Sequence, residues 1–148
     1  MLAGAVFTFL GIIVSRSERS DPILTSGLET IPPNRVWDAL VVGAGPGGAM
    51  IAYELSRMGK RVLLLERSRF PRWKVCGGTL SPGAGDLLSE AGLGGLLERS
   101  GADRLETLRL GGWGLRVDLP LNGSIALSRS SLDSSLVEAA VAKGAHFC

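Results

Sequence analysis

Cysteine and histidine are nearly absent from this sequence: Cys76, Cys148 and His146 are all that its 148 residues contain. Two widely separated cysteines cannot staple a disulfide-rich miniprotein, and a single histidine cannot build a His-rich metal centre. His146 and Cys148 form only an H-x-C pair, which reads as strand residues, so no metal site is expected. Charge of one sign is lacking too. Lys and Arg number 16 against 14 Asp and Glu, a formal net charge of +2, and the excess is scattered. Without a basic block, nucleic-acid binding has no electrostatic footprint, and no nucleic-acid partner is expected. A long apolar run is also missing. The opening stretch MLAGAVFTFLGIIV would span about 21 Å as a helix, short of the roughly 30 Å hydrocarbon core of a bilayer.

That stretch has no basic residue before it, as a signal peptide would; Arg16 and Arg19 follow it. Three readings stay open: an incidental extension, a weak anchor that keeps the later chain on the cytoplasmic side, or a signal peptide. The expected location is cytoplasmic, with membrane association left open. Residues 15–35 mix Ser, Pro and charge without periodicity and close on Pro32-Pro33, the composition of a linker. The expected division is therefore an apolar segment with linker at 1–35 and a folded region at 36–148.

What the sequence does have is apolar content (45%) and glycine (21 residues), enough for a packed core with many tight turns. Trp37–Val42 is a short, mostly apolar run, the form of a buried parallel strand. It enters Gly43-Ala44-Gly45-Pro46-Gly47-Gly48, which fits G-x-G-x-x-G with Gly43, Gly45 and Gly48 in the three glycine slots. Gly43 permits the tight turn, Gly45 lets the backbone approach a pyrophosphate, and Gly48 lets the helix lie close to the sheet. Ile51, Ala52, Leu55 and Met58 then recur at helical spacing, with Gly59 placed for a C-cap. Arg61–Glu66 is a second apolar strand ending in an acid, 18 residues past Gly48. A carboxylate there accepts from ribose hydroxyls, while the helix N-terminus attracts a diphosphate. The expected ligand is a dinucleotide. Glu66 opposes a 2′-phosphate by like charge, an exclusion that neighbouring Arg67 weakens.

Glycine loops alone do not choose between FAD and NAD. The segment Arg67–Pro82 has two prolines, four cationic side chains and a Cys-Gly-Gly turn, so it is irregular where a simple NAD dehydrogenase would continue into a helix. At this point the sequence resembles a known family. The run DALVVGAGPGGAMIAYELSRMGKRVLLLERSRFPRWKVCGGTLSPGA is similar to the start of FAD-dependent oxidoreductases of the geranylgeranyl reductase and electron-transfer flavoprotein–quinone oxidoreductase type. These are cousins of the para-hydroxybenzoate hydroxylase-like monooxygenases and the flavin halogenases. Pro71-Arg72-Trp73-Lys74-Val75-Cys76-Gly77-Gly78 is the more diagnostic part, and Ala126–Leu136 resembles the family's arginine followed by a Leu-Asp-x-x-Leu helix.

The resemblance implies an α/β fold: a Rossmann-like FAD-binding βαβ unit with a parallel sheet, plus the first strands of an inserted substrate domain at about 100–127. It implies FAD as cofactor, with NAD(P)H as a candidate reductant and a small-molecule or lipid-like substrate. Gly43, Gly45, Pro46, Gly47 and Gly48 would hold the diphosphate and Glu66 the ribose. Arg67 and Arg129 would lie along the adenosine–diphosphate arm, and Cys76-Gly77-Gly78 would approach the flavin ring. Cys76 is the one catalytic candidate, weighed against a small residue packed in a turn; Arg129 is weighed against a solvated arginine ahead of a helix cap. Monooxygenase or halogenase chemistry, and a nucleotide-binding module without catalysis, stay open as alternatives. No Ser-His-Asp arrangement or carboxylate pair can be argued from spacing.

The remainder predicts two short helices over 84–97 and strands over Arg104–Leu110 and Leu115–Leu119, joined by a glycine turn carrying Trp113. Trp113 is expected to serve as aromatic core, with the lining of a pocket as the alternative. Ser130 with Asp133 fits a helix-start signal, and Leu132, Leu136, Val137, Ala140 and Val141 are expected to form the apolar face of that helix before Gly144. Ala145–Cys148 reads as a strand just begun, so the chain is expected to be C-terminally incomplete relative to such enzymes.

Overall fold

The computed structural model describes residues 31–32 and 34–148. The apolar stretch 1–14 and most of the 15–35 linker therefore lie outside the described residues. Two three-stranded sheets organise the chain. β1 (Ala39–Val42), β2 (Val62–Leu65) and β6 (His146–Phe147) form a parallel sheet in the order β1-β2-β6. β3 (Thr79–Leu80), β4 (Asp103–Gly112) and β5 (Leu115–Ala126) form an antiparallel sheet in the order β3-β5-β4. The helices are α1 (Pro46–Arg57), α2 (Pro82–Glu90), α3 (Leu96–Arg99) and α4 (Arg129–Ala142).

The βαβ unit forms where the hydrophobic pattern places it. Ala39 pairs with Val62 and Val41 with Leu64, so these four side chains share one face, and Phe147 joins it beside Leu64. α1 buries Ala49, Ala52 and Tyr53, while α4 buries Leu132, Leu136, Val137 and Ala140 in the same core. Each large apolar side chain withdrawn from water here contributes roughly 1.5–3 kcal/mol. On the opposite face, Leu40 and Val42 are exposed.

α1 starts at Pro46, whose missing N–H costs nothing in a first turn, and it ends at Met58 with Gly59 in the left-handed region (φ +77°). α4 corrects the expected start. Ser128, not Ser130, is its N-cap: Ser128 Oγ accepts from the Ser131 amide at 3.1 Å. Asp133 thus sits a full turn inside the helix and is free of capping duty.

The short helices α2 and α3 close the core with Leu88, Leu96 and Leu97, and Tyr53 donates from its hydroxyl to the carbonyl of Ala91 at 3.0 Å. β4 and β5 form the anticipated hairpin, with β5 extending to Ala126. Leu108 faces Leu119, Leu110 faces Val117, and Arg109 faces Asp118 on the other side, joined in an exposed two-bonded ion pair. Trp113 is a correction. It occupies the hairpin turn with a positive φ of 48° and is fully exposed rather than core. Local turn geometry fixes its place, and among the described residues nothing folds back over the tip.

Candidate functional site

The carboxyl ends of β1 and β2, the start of α1 and the start of α4 surround an open cleft of about 870 Å³. Small-molecule sites generally measure ~300–1,000 Å³, so the volume suits a ligand of that class. The glycine turn builds its floor. Gly43 adopts φ +99° and its amide donates to Leu65 O at 2.7 Å, turning the chain off β1 toward α1. Gly48 has no room for a side chain: a Cβ there would overlap the carbonyl oxygen of Gly43 and reach Val41 Cγ1 at 3.5 Å. Only glycine lets the first turn of α1 press so closely on the strand end. Gly45 is the N-cap of α1 and has no side-chain capping partner, so the helix opens directly onto the cleft.

Glu66 closes the other side. Its Oε2 accepts from the Ala44 amide at 3.0 Å and its Oε1 from the Ser68 amide at 3.1 Å. Burial pushes this carboxyl up, but the two amides and the charge of Arg72 outweigh burial and hold it below the usual carboxylate range. Arg72 Nη2 stands 3.6 Å away, a distance for charge attraction rather than a hydrogen bond.

Gly43, Gly45, Gly48, Glu66, Arg67 and Arg129 all line the cleft. Cys76 and Gly78 line a separate, smaller depression of about 230 Å³ that adjoins it through Lys74 and Arg129. Pro46, Gly47 and Gly77 line neither. Cys76 is exposed, not packed in its turn, and its Sγ accepts from the Gly78 amide at 3.4 Å. Arg129 is no solvated arginine ahead of a cap. It is the first residue of α4, its Nε and Nη2 donate to Asp133 at 2.8 and 3.0 Å, and these bonds hold the guanidinium more firmly protonated.

Two residues escaped sequence reasoning. Arg72 is 8% exposed and lines the cleft, although its loop looked like a run of scattered cations. Asp133 is completely buried against it. The available signal was their shared sign complementarity, but Asp133 lay inside an apparent cap motif and Arg72 inside an irregular segment.

The residues present fit a bound dinucleotide diphosphate. The start of α1 presents first-turn amides with no intrahelical acceptor, flanked by glycines and therefore unshielded. The Ala44 amide is already committed to Glu66. Arg72 and Arg129 supply positive charge beside Gly45, and the Nε of buried Arg72 has no hydrogen-bond partner among the described residues. Glu66 retains acceptor capacity, since a carboxylate offers about four lone-pair sites.

The profile of the FAD binding domain family matches residues 37–147, most of the chain. This chain belongs to that family. The FAD binding domain reaches from the strand before the glycine turn to the last parallel strand, so both walls of the cleft lie within it. Menaquinone reductase of Mycolicibacterium smegmatis is 35% identical over 114 residues, covering 73% of this chain and 27% of that protein. Among solved structures, a flavoprotein/dehydrogenase from Cytophaga hutchinsonii superposes with a TM-score of 0.65 at 25% identity, covering 76% of this chain and 29% of the other. The myxobacterial chondrochloren halogenase gives 0.62 at 30% identity, covering 76% and 28%. The chain thus spans under a third of the length of each of these proteins. The expected α/β fold with its parallel sheet is the fold observed, and FAD is the cofactor the family binds. Among the described residues no helix is long and apolar enough to cross a membrane.

Proposed function

We propose that this chain provides the FAD-binding part of a flavin-dependent oxidoreductase of reductase or dehydrogenase type, in the manner of the geranylgeranyl reductase and electron-transfer flavoprotein–quinone oxidoreductase group. The observation that carries the reading is the joint fastening of the cleft: Glu66 bonded to the amide of Ala44 within the glycine turn, with the guanidinium groups of Arg72 and Arg129 beside Gly45. When bound, FAD would supply reversible two-electron chemistry, with the protein contributing binding and orientation. Gly43, Gly45, Pro46, Gly47 and Gly48 would form the turn against the diphosphate, joined by Arg72 and Arg129. Glu66 would accept from the ribose hydroxyls, Arg67 would flank the adenosine arm, and Cys76-Gly77-Gly78 would lie toward the flavin ring. NAD(P)H is the reductant proposed, and a small or lipid-like molecule the substrate. Similarity to menaquinone reductase supports the reductase side. The likeness to a halogenase at 30% identity favours the second reading, an oxygen-using monooxygenase or halogenase built on the same cofactor half.

Calorimetric titration of the 148-residue chain with FAD, ADP and NADP⁺ tests the cofactor assignment. FAD and ADP should bind, and NADP⁺ should bind more weakly because its 2′-phosphate would meet the Glu66 carboxylate. Failure of both FAD and ADP to bind, in a chain shown folded by circular dichroism, would overturn it.

A further inference from the structure

One carboxylate holds two guanidinium groups at the edge of the cleft. Asp133 is 0% exposed. Its Oδ1 accepts from Arg129 Nε at 2.8 Å and its Oδ2 from Arg129 Nη2 at 3.0 Å, while Oδ2 also lies 3.1 Å from Arg72 Nη2. Both Nη2 atoms converge on the N-cap of α1. A Cβ built on Gly45 would lie 3.5 Å from that of Arg72 and 3.8 Å from that of Arg129. Asp133 spends its acceptor capacity on the inward edge of each arginine. A guanidinium carries five N–H donors, so Arg129 has more than the two that Asp133 takes, and Cys76 is its other side-chain neighbour.

Burying these charges is not a route to stability, because the desolvation cost of such a cluster offsets most of its attraction. Order is what the cluster provides. Arginine side chains lose much rotamer freedom when fixed, and a guanidinium already fixed before a ligand arrives spares the binding step that loss. Asp133 lies on α4 and Arg72 on the irregular segment after β2, so the carboxylate also joins two chain segments.

We propose that Asp133 is a positioning residue for diphosphate binding, clamping Arg72 and Arg129 beside Gly45. The proposal rests on the FAD-binding reading above. Two effects of the carboxylate oppose each other. As a negative charge it lowers the positive potential that an anion meets; as a clamp it holds two donors in place. The sign of its removal decides which prevails.

Asp133→Asn in the 148-residue chain keeps the shape and removes the charge. ADP binding is compared with adenosine, a probe without phosphate, by calorimetry. The ADP dissociation constant should rise about tenfold or more, the loss expected when charge-assisted contacts are misaligned. Adenosine should change less than about twofold, since it meets neither guanidinium. Unchanged or tighter ADP binding by a folded variant overturns the proposal, and so does an equal loss for both ligands, which marks a merely structural role. Nitrogen-15 NMR of the wild-type chain gives a reading independent of the variant's folding. The Arg129 Nε–H should exchange with water more slowly than that of free arginine before any ligand is added; exchange at the free rate overturns the clamp. If the wild-type chain binds neither ADP nor FAD, the cofactor reading itself fails and the clamp has no ligand to serve, a result visible before any variant is made.

Discussion

Glu66 is held by two backbone amides, and this fastening shapes what its loss should do. With Glu66→Ala, the Ala44 and Ser68 amides lose their acceptors in a half-buried setting, a penalty of roughly 1–3 kcal/mol for each donor left unmatched. Stability in urea should fall by that order. FAD or ADP affinity should fall about tenfold to hundredfold if the carboxylate also holds the ribose. Calorimetry and urea denaturation on the same preparation separate the two effects. A variant that loses stability but binds ADP as tightly as wild type removes the ribose role and leaves only the turn-fastening one. Acidity at the strand end was legible from sequence because position alone, just past an apolar run and a fixed distance from the glycines, marks it. Its bonds to Ala44 and Ser68 were not, since they depend on where the turn folds back.

The same limit operates among elements. β1, α1 and β2 were legible because apolar periodicity changes from strand to helix and back across a glycine turn, a local signal. α4 was legible as a helix, yet its start was misplaced by two residues: Ser130 and Asp133 fit the spacing of a cap, while the Ser128 hydroxyl takes the Ser131 amide. Competing serines are equivalent in composition, and only the direction of the chain leaving β5 chooses between them. Trp113 misled for a related reason, since its aromatic bulk suits a core but a two-strand hairpin places its turn residue outward. Of the glycines in the motif, Gly48 has the strictest steric requirement. Gly48→Ala forces the α1 start away from the Gly43 carbonyl, and overpacking of this kind typically costs about 1–3 kcal/mol. The urea midpoint should drop accordingly, whereas Gly45→Ala, whose Cβ finds only ordinary contact distances, should leave it nearly unchanged. Equal midpoints for the two variants would remove the steric account of the motif.

Across the described residues, acidic side chains join neighbouring elements: Asp38 to Arg61 at the entries to β1 and β2, Asp118 to Arg109 across the hairpin, and Glu66 to the glycine turn. Each of these carboxyls is held below its ordinary range, Asp38 and Asp118 chiefly by hydrogen bonds from their arginines and Glu66 by backbone amides overcoming burial. A group whose folded pKa is depressed contributes stability above its unfolded pKa and loses it as pH falls through the folded value. Stability should therefore be nearly flat from about pH 8 to pH 5 and decline below about pH 4, where free carboxylates protonate. Urea midpoints measured across that range check the sign, and a decline already between pH 7 and pH 6 would contradict it. The parallel sheet, finally, sets an order of events. Leu40 pairs with Leu63 across one helix, but Leu63 also pairs with His146, and the Glu66 amide donates to Cys148 O at 2.8 Å. The first pairing closes a short stretch of chain; the second must wait for the hairpin and α4 to form and return. Chain closure over longer separations is entropically dearer and slows folding. The glycine turn, Glu66 and Arg72 thus come from neighbouring stretches of chain, whereas Arg129 and Asp133 reach the cleft from beyond the hairpin, so the cleft is completed by the longer closure.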